Sequence, residues 1–179
     1  QYVDIPAGMN LIDFLHTAFA DLYAINDQMN QLYQDYATKM DDRLLTRAGR
    51  LQEELDAHNF YGLETEIERV MAGLGLNELG KEHVVAEMSG GQRSKIILAK
   101  MLLENPDVIL LDEPTNYLDT AHIEWLIEYL NDFAGAAMII SHDYDFLERV
   151  TNTIVDVSFG KITKYRGSFK QAMRQKEEK

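Results

Sequence analysis

Cysteine is absent from this 179-residue chain, so it has neither a disulfide framework nor a thiolate metal site. That absence fits a reducing, cytoplasmic setting. Basic residues are scarce: 17 Lys and Arg stand against 30 Asp and Glu, a formal net charge of −13. Such an excess argues against a broad nucleic-acid-binding surface, because phosphate neutralisation needs clustered Lys and Arg. A local basic patch stays open. Long apolar runs are missing as well. The longest, residues 108–111 and 136–140, fall far short of the ~20 residues of a transmembrane helix. These residues hold no secretory leader pattern. They begin with Gln1 rather than Met and stop in a charged run, residues 170–179, which reads as a piece of a longer protein.

What is present is enough for a core, since 46% of the residues are hydrophobic. Residues 1–10 look extended, punctuated by Pro6 and Gly8. Then Leu11, Leu15, Ala18, Leu22, Ile25, Met29, Leu32 and Tyr36 follow in alternating steps of four and three. This heptad seam predicts one helix of about 28 residues, roughly 40 Å long, with Asn10 as N-cap. Asp41 and Asp42 can start a second helix with the seam Leu44, Ala48, Leu51, Leu55 and His58, giving a helical hairpin. Leu63, Ile67, Val70, Met71 and Leu74 predict a shorter helix ending near Gly73 and Gly75, and residues 77–88 read as a polar connector.

The later part changes character. A helix over 91–104, with Ile96, Ile97, Met101 and Leu102 turned to a core, runs into a continuous apolar strand over 107–112. Such a strand is expected to be buried on both faces of a parallel sheet. A helix over 121–133, with the stripe Ile123, Leu126, Ile127 and Leu130, leads to a second buried strand over 136–141. A short helix over 144–150 and a hairpin of 153–159 with 161–166 around Gly160 complete the α/β pattern.

Three places carry chemistry. Ser89-Gly90-Gly91-Gln92 opens a helix, and its glycines let backbone N–H groups approach an anion at the positive helix end. Ser89 can cap the helix and donate to a phosphate oxygen; an ordinary capped helix gives the same four letters. Asp112 and Glu113 end an apolar strand, where open α/β sheets bind ligands. There Asp112 suits Mg2+ and Glu113 suits a general base toward water, although Pro114 alone makes an acidic turn natural. His142 ends the next strand, and adjacent parallel strands would bring it near Glu113; a lone histidine is more often structural.

Taken in order, these residues resemble a known superfamily, the ATP-binding cassette (ABC) ATPases. Ser89–Gln92 looks like the signature motif, residues 108–113 like the Walker B strand, Tyr117-Leu118-Asp119 like the D-loop, and His142 like the switch histidine. Asp112-Glu113-Pro114-Thr115-Asn116 is similar to the pattern of the ABC-F subfamily, although Tyr117 stands where that subfamily typically has His. Tyr165-Arg166-Gly167-Ser168-Phe169 resembles the point where a first cassette enters an inter-cassette linker.

The resemblance implies a partial ABC-type nucleotide-binding domain, with a P-loop NTPase-like parallel sheet, a helical subdomain and a helical-hairpin arm. The implied divisions are 1–10 near the Q-loop, 11–60 the arm, 61–105 the helical subdomain, 106–167 the rest of the catalytic core, and 168–179 the linker start. Glu113 and His142 would be catalytic and Asp112 would hold Mg2+. Ser89, Gly90, Gly91 and Gln92 would serve ATP held by a second cassette of the same chain, Asp119 would line the cassette interface, and Gln1 would be the Q-loop glutamine. The implied protein is a cytoplasmic ATPase without a membrane domain that acts on the ribosome, touching rRNA and ribosomal proteins, as a translation factor or in antibiotic protection. The alternative is the ATPase subunit of an ABC transporter. No G-x-x-x-x-G-K-[ST] occurs in the 179 residues. A P-loop is therefore expected upstream, and the isolated chain is expected to be inactive. On the second hairpin helix, Arg43, Arg47 and Arg50 share a face that suits phosphate or an acidic protein, or is solvated and paired with Glu54 and nearby Asp side chains.

Overall fold

The computed structural model describes residues 4–178. Gln1 lies outside them. The chain forms two compact units, one running to Ala72 and resuming over Leu76–Asn105, the other made of Gly73–Gly75 and the chain from Pro106 on.

In the first unit α1 (Leu11–His16) starts where expected, with the Asn10 side chain accepting the Asp13 N–H at 2.9 Å. The seam does not continue as one helix. Thr17–Phe19 is a 3-10 turn, and α2 (Ala20–Lys39) follows it. Thr17 Oγ1 donates to the Phe14 carbonyl, the side-chain competition that loosens a helix end. The break separates two apolar clusters. Leu11, Phe14 and Leu15 are buried on the side of α1 that meets α5 (Gly90–Glu104). Met29 and Leu32 instead pack with Ala48 and Leu55 of α3 (Asp42–Ala57), flanked by Leu22, Ile25, Leu44 and Leu51. Met40, left-handed at φ 53°, closes α2, and Asp41 caps α3 through the Arg43 N–H. His58, expected in the seam, is an exposed C-cap.

Helix α4 (Leu63–Gly73) buries Leu63, Ile67, Val70 and Met71. The connector after it is less polar in practice than in composition. Leu76, Val85 and Met88 are buried, and Val84 bridges Asn10. In α5 the buried stripe is Ile96, Leu98, Ala99, Leu102 and Leu103, while Ile97 and Met101 are only half-buried.

In the second unit β1 (Val108–Asp112) pairs in parallel with β2 (Ala136–Ile140), Val108 opposite Ala136 and Asp112 opposite Ile140. Helix α6 (Thr120–Asp132) lies between them in sequence and buries Leu126, Ile127 and Leu130. The strands are not buried on both faces. Ile109 and Leu111 are covered, but Val108, Leu110, Met138 and Ile140 are each more than half exposed. An apolar run fixes the strand but not how many layers pack on it, and among the described residues only these two strands form the sheet. Helix α7 (Tyr144–Val150) precedes the antiparallel hairpin β3 (Thr153–Ser158) and β4 (Lys161–Arg166). Helix α8 (Phe169–Glu177) is fastened by Lys176 to Asp156 at 2.9 Å and by Phe169 stacked on Tyr144 at 4.7 Å.

Candidate functional site

The candidate residues divide between the two units. In the first, Ser89 is the N-cap of α5: its Oγ accepts the Gln92 N–H at 3.2 Å, and Gln92 Oε1 accepts the Ser89 N–H at 2.9 Å. This reciprocal capping box engages both side chains at rest. The S-x-x-Q spacing announces it, and the reading of Ser89 alone misses it. Gly90 is exposed, and a Cβ there would meet nothing within 4 Å. There is thus open space beside Gly90 at the positive end of a 15-residue helix, while Ser89 already holds the Gln92 N–H of the first turn.

In the second unit the end of β1 turns sharply. Glu113 adopts φ 48°, a left-handed conformation uncommon outside glycine, while its N–H still donates to the Ile140 carbonyl at 2.8 Å. The ladder with β2 thus extends one residue beyond the strand and brings Glu113 beside His142. Glu113 Oε1 pairs with His142 Nδ1, and Glu113 Oε2 accepts the His142 N–H at 3.3 Å. The side-chain hydrogen bond from His142 is the main cause holding the Glu113 carboxyl below its ordinary value. Partial desolvation opposes it and the His142 N–H assists it. Glu113 is thus kept as an anion, the form a general base needs.

Asp112 is exposed and carries no ion pair or hydrogen bond among the described residues. Its carboxylate is the hard oxygen donor Mg2+ takes, usually from one or two protein groups with water and phosphate completing the shell. No cluster of three or more His, Cys, Asp or Glu able to hold a metal occurs among the described residues. Asp119 caps α6 through the His122 N–H at 3.0 Å and makes no hydrogen bond with Glu113 or His142. Of the named residues, Glu113 and His142 meet at the strand ends, and Ser89 and Gln92 meet in the α5 cap. Of the expected partners of the α3 arginines, the nearby Asp41 pairs with Arg43 at 2.9 Å, whereas a pair with Glu54 does not form among the described residues.

Residues 15–116, more than half of the chain, match the family described as ABC transporter. The chain belongs to that family. Domains of the ABC family bind ATP, typically with Mg2+, and are in general ATPases. Among curated relatives, the chain is 42% identical over 176 residues to the uncharacterized ABC transporter ATP-binding protein YfmM of Bacillus subtilis, covering 97% of this chain and 34% of the relative. It is 35% identical over 153 residues to the energy-dependent translational throttle protein EttA of Escherichia coli K12, covering 86% of this chain and 27% of the relative. The chain thus spans about a third or less of the length of these relatives. Among solved structures, the ATP binding subunit of an ABC transporter superposes with a TM-score of 0.61 at 18% identity, covering 97% of this chain and 59% of the other. The RNase-L Inhibitor superposes at 0.57 and 20% identity, covering 98% and 28%. Both are ABC-type α/β folds, and at such identity they speak for the fold alone. No helix among the described residues is long and apolar enough to cross a membrane.

Proposed function

We propose that this chain is part of the first nucleotide-binding cassette of an ABC-F ATPase acting on the ribosome, and that Glu113 and His142 belong to its hydrolytic centre. The observation that carries the reading is the double engagement of Glu113 by His142 at the end of β1, in a chain of the ABC family. The similarity to EttA, named as a translational throttle, supports the ribosomal role. So does the Asp112-Glu113-Pro114-Thr115-Asn116 pattern.

In this reading the Glu113 carboxylate accepts a proton from the attacking water, and His142 orients that carboxylate. Asp112 would hold Mg2+, which supplies charge neutralisation beside the phosphates of ATP. Ser89, Gly90, Gly91 and Gln92 would present the N-terminus of α5 to ATP held by a second cassette, and Asp119 would line the interface between cassettes. Residues 11–60 serve as the arm, 61–105 as the helical subdomain, 106–167 as the remaining catalytic core and 168–179 as the beginning of a linker. The 179 residues alone, which carry no phosphate-loop motif, do not turn over ATP.

The test uses the complete protein with Glu113→Gln and the matching change in its second cassette. The variant stays on ribosomes with ATP, while the wild type is released; equal release of both refutes the reading. A transporter ATPase subunit is the second reading, favoured by the similarity to YfmM, named as an ABC transporter ATP-binding protein. Co-purification of the complete protein with a membrane partner instead of ribosomes would establish it.

A further inference from the structure

We infer that His122 is a positioning residue for Asp119, holding one oxygen of that carboxylate where the group meets a partner surface. The inference rests on the proposed placement of Asp119 at the cassette interface. Asp119 Oδ1 accepts the His122 backbone N–H at 3.0 Å, an ordinary helix cap. The same oxygen lies 2.8 Å from His122 Nδ1. The cap and the ring thus meet on one oxygen, and the ring adds a close polar contact to the atom that the cap already holds.

The surroundings fit a clamp. The Asp119 side chain is 66% exposed, whereas the His122 side chain is only 24% exposed. The group that faces outward is thus gripped by one that does not. The ring also lies close against backbone: a Cβ on Gly75 would lie 2.4 Å from His122 Cε1, and Gly75 sits at φ +71°, where a side chain is strained. His122 therefore has little room to turn on the side of Gly75. Helix stability does not call for it. A histidine in the first turn gains nothing from the helix dipole, whose favourable end for cations is the other one. Capping needs only its main-chain N–H.

The experiment uses the complete protein and two replacements. His122→Phe keeps a flat ring against Gly75 without a donor. His122→Asn keeps a donor at the position of Nδ1 without the ring. With the Nδ1–Oδ1 contact removed, His122→Phe lowers kcat about tenfold at unchanged KM for ATP. His122→Asn returns kcat to within about twofold of wild type. Asp119→Asn, which retains the cap, adds no further loss to His122→Phe. Wild-type kcat in His122→Phe, or equal loss in both replacements, overturns the inference. A contact readout is independent of turnover: the ring 15N shifts of His122 move in Asp119→Asn, and unmoved shifts overturn the inference by themselves. Persistence of turnover in Glu113→Gln refutes the hydrolytic reading instead, and leaves the shift measurement to decide the contact.

Discussion

Gly73→Ala should destabilise the second unit for a reason that a second substitution can remove. A Cβ built at Gly73 would lie 2.0 Å from Trp125 Cε2, 2.1 Å from Cδ2 and 2.6 Å from Cζ2. Carbon atoms in contact sit at about 3.5–4.0 Å, so the indole must shift by roughly 1.5 Å. Overpacking of this kind costs about 1–3 kcal/mol, and a rigid fused ring belongs at the upper end, about 3 kcal/mol. Against this, alanine at a helical position gains roughly 1 kcal/mol over glycine, giving a net loss of about 2 kcal/mol. In a Trp125→Ala background the clash is absent and only the gain remains. The same Gly73→Ala change should then stabilise by up to about 1 kcal/mol, a coupling of about 3 kcal/mol.

The assay is urea unfolding of the four chains followed by helical circular dichroism. Fluorescence is a second probe in the two that retain Trp125, the only tryptophan of the 179 residues. Equal effects of Gly73→Ala in both backgrounds would refute the packing argument. So would stabilisation in the presence of Trp125.

Ser89→Ala should cost about 1 kcal/mol in thermal or denaturant unfolding because it removes the α5 cap, and Ser89→Thr should retain most of it. Asp156 is held below its ordinary carboxyl value chiefly by the hydrogen bond from Lys176 and then by Ser158. Its depressed folded value means that its contribution is present above the unfolded value and lost as pH falls through the folded one. Amide exchange in α8 should therefore stay slow until pH drops below the ordinary Asp range, and Asp156→Asn should abolish that pH dependence. His142→Ala should let the Glu113 carboxyl rise toward its ordinary value, so any turnover left in the complete protein should show its acid limb at higher pH than wild type. An unmoved limb would mean that Glu113 does not report there.

Elements whose signals are local were legible in the sequence. Asn10, Asp41 and Ser89 announce helix starts through short side chains placed before apolar stripes, and each caps the helix it precedes. The pairing of Val108 with Ala136 follows from a strand–helix–strand pattern, and the step that brings His142 beside Glu113 follows from that register. What was not legible depends on partners remote in sequence. The seam from Leu11 to Tyr36 keeps its period through Thr17–Phe19, yet its two halves bury against different elements, so the helix breaks. The burial of Val85 and Met88 and the exposure of Leu110 and Met138 likewise depend on which surfaces come to lie over them. The conformation of Glu113 carried no glycine signal, and the fit of Gly73 and Gly75 against Trp125 and His122 joins residues about fifty positions apart.

The residues read as chemistry are also the residues that start helices. Ser89 caps α5, Asp119 caps α6 and Asp143, next to His142, caps α7 by accepting the Phe146 N–H at 3.0 Å. The coincidence has a physical cause. A helix N-terminus exposes N–H groups and positive potential, which favour an anionic ligand, and the same short oxygen-bearing side chains satisfy those groups when no ligand is there. An alanine at any of these positions therefore removes a cap worth about 1 kcal/mol together with whatever the oxygen does for a ligand, and a loss of turnover in such a variant cannot be assigned to chemistry. Replacements that keep the cap separate the two. Asn at Asp119 retains an accepting oxygen for the His122 N–H while removing the charge, and Thr at Ser89 retains the hydroxyl. If Asp119→Asn leaves the melting temperature in place and slows turnover, the carboxylate acts outside the helix it caps; if both are unchanged, Asp119 is a cap and nothing more.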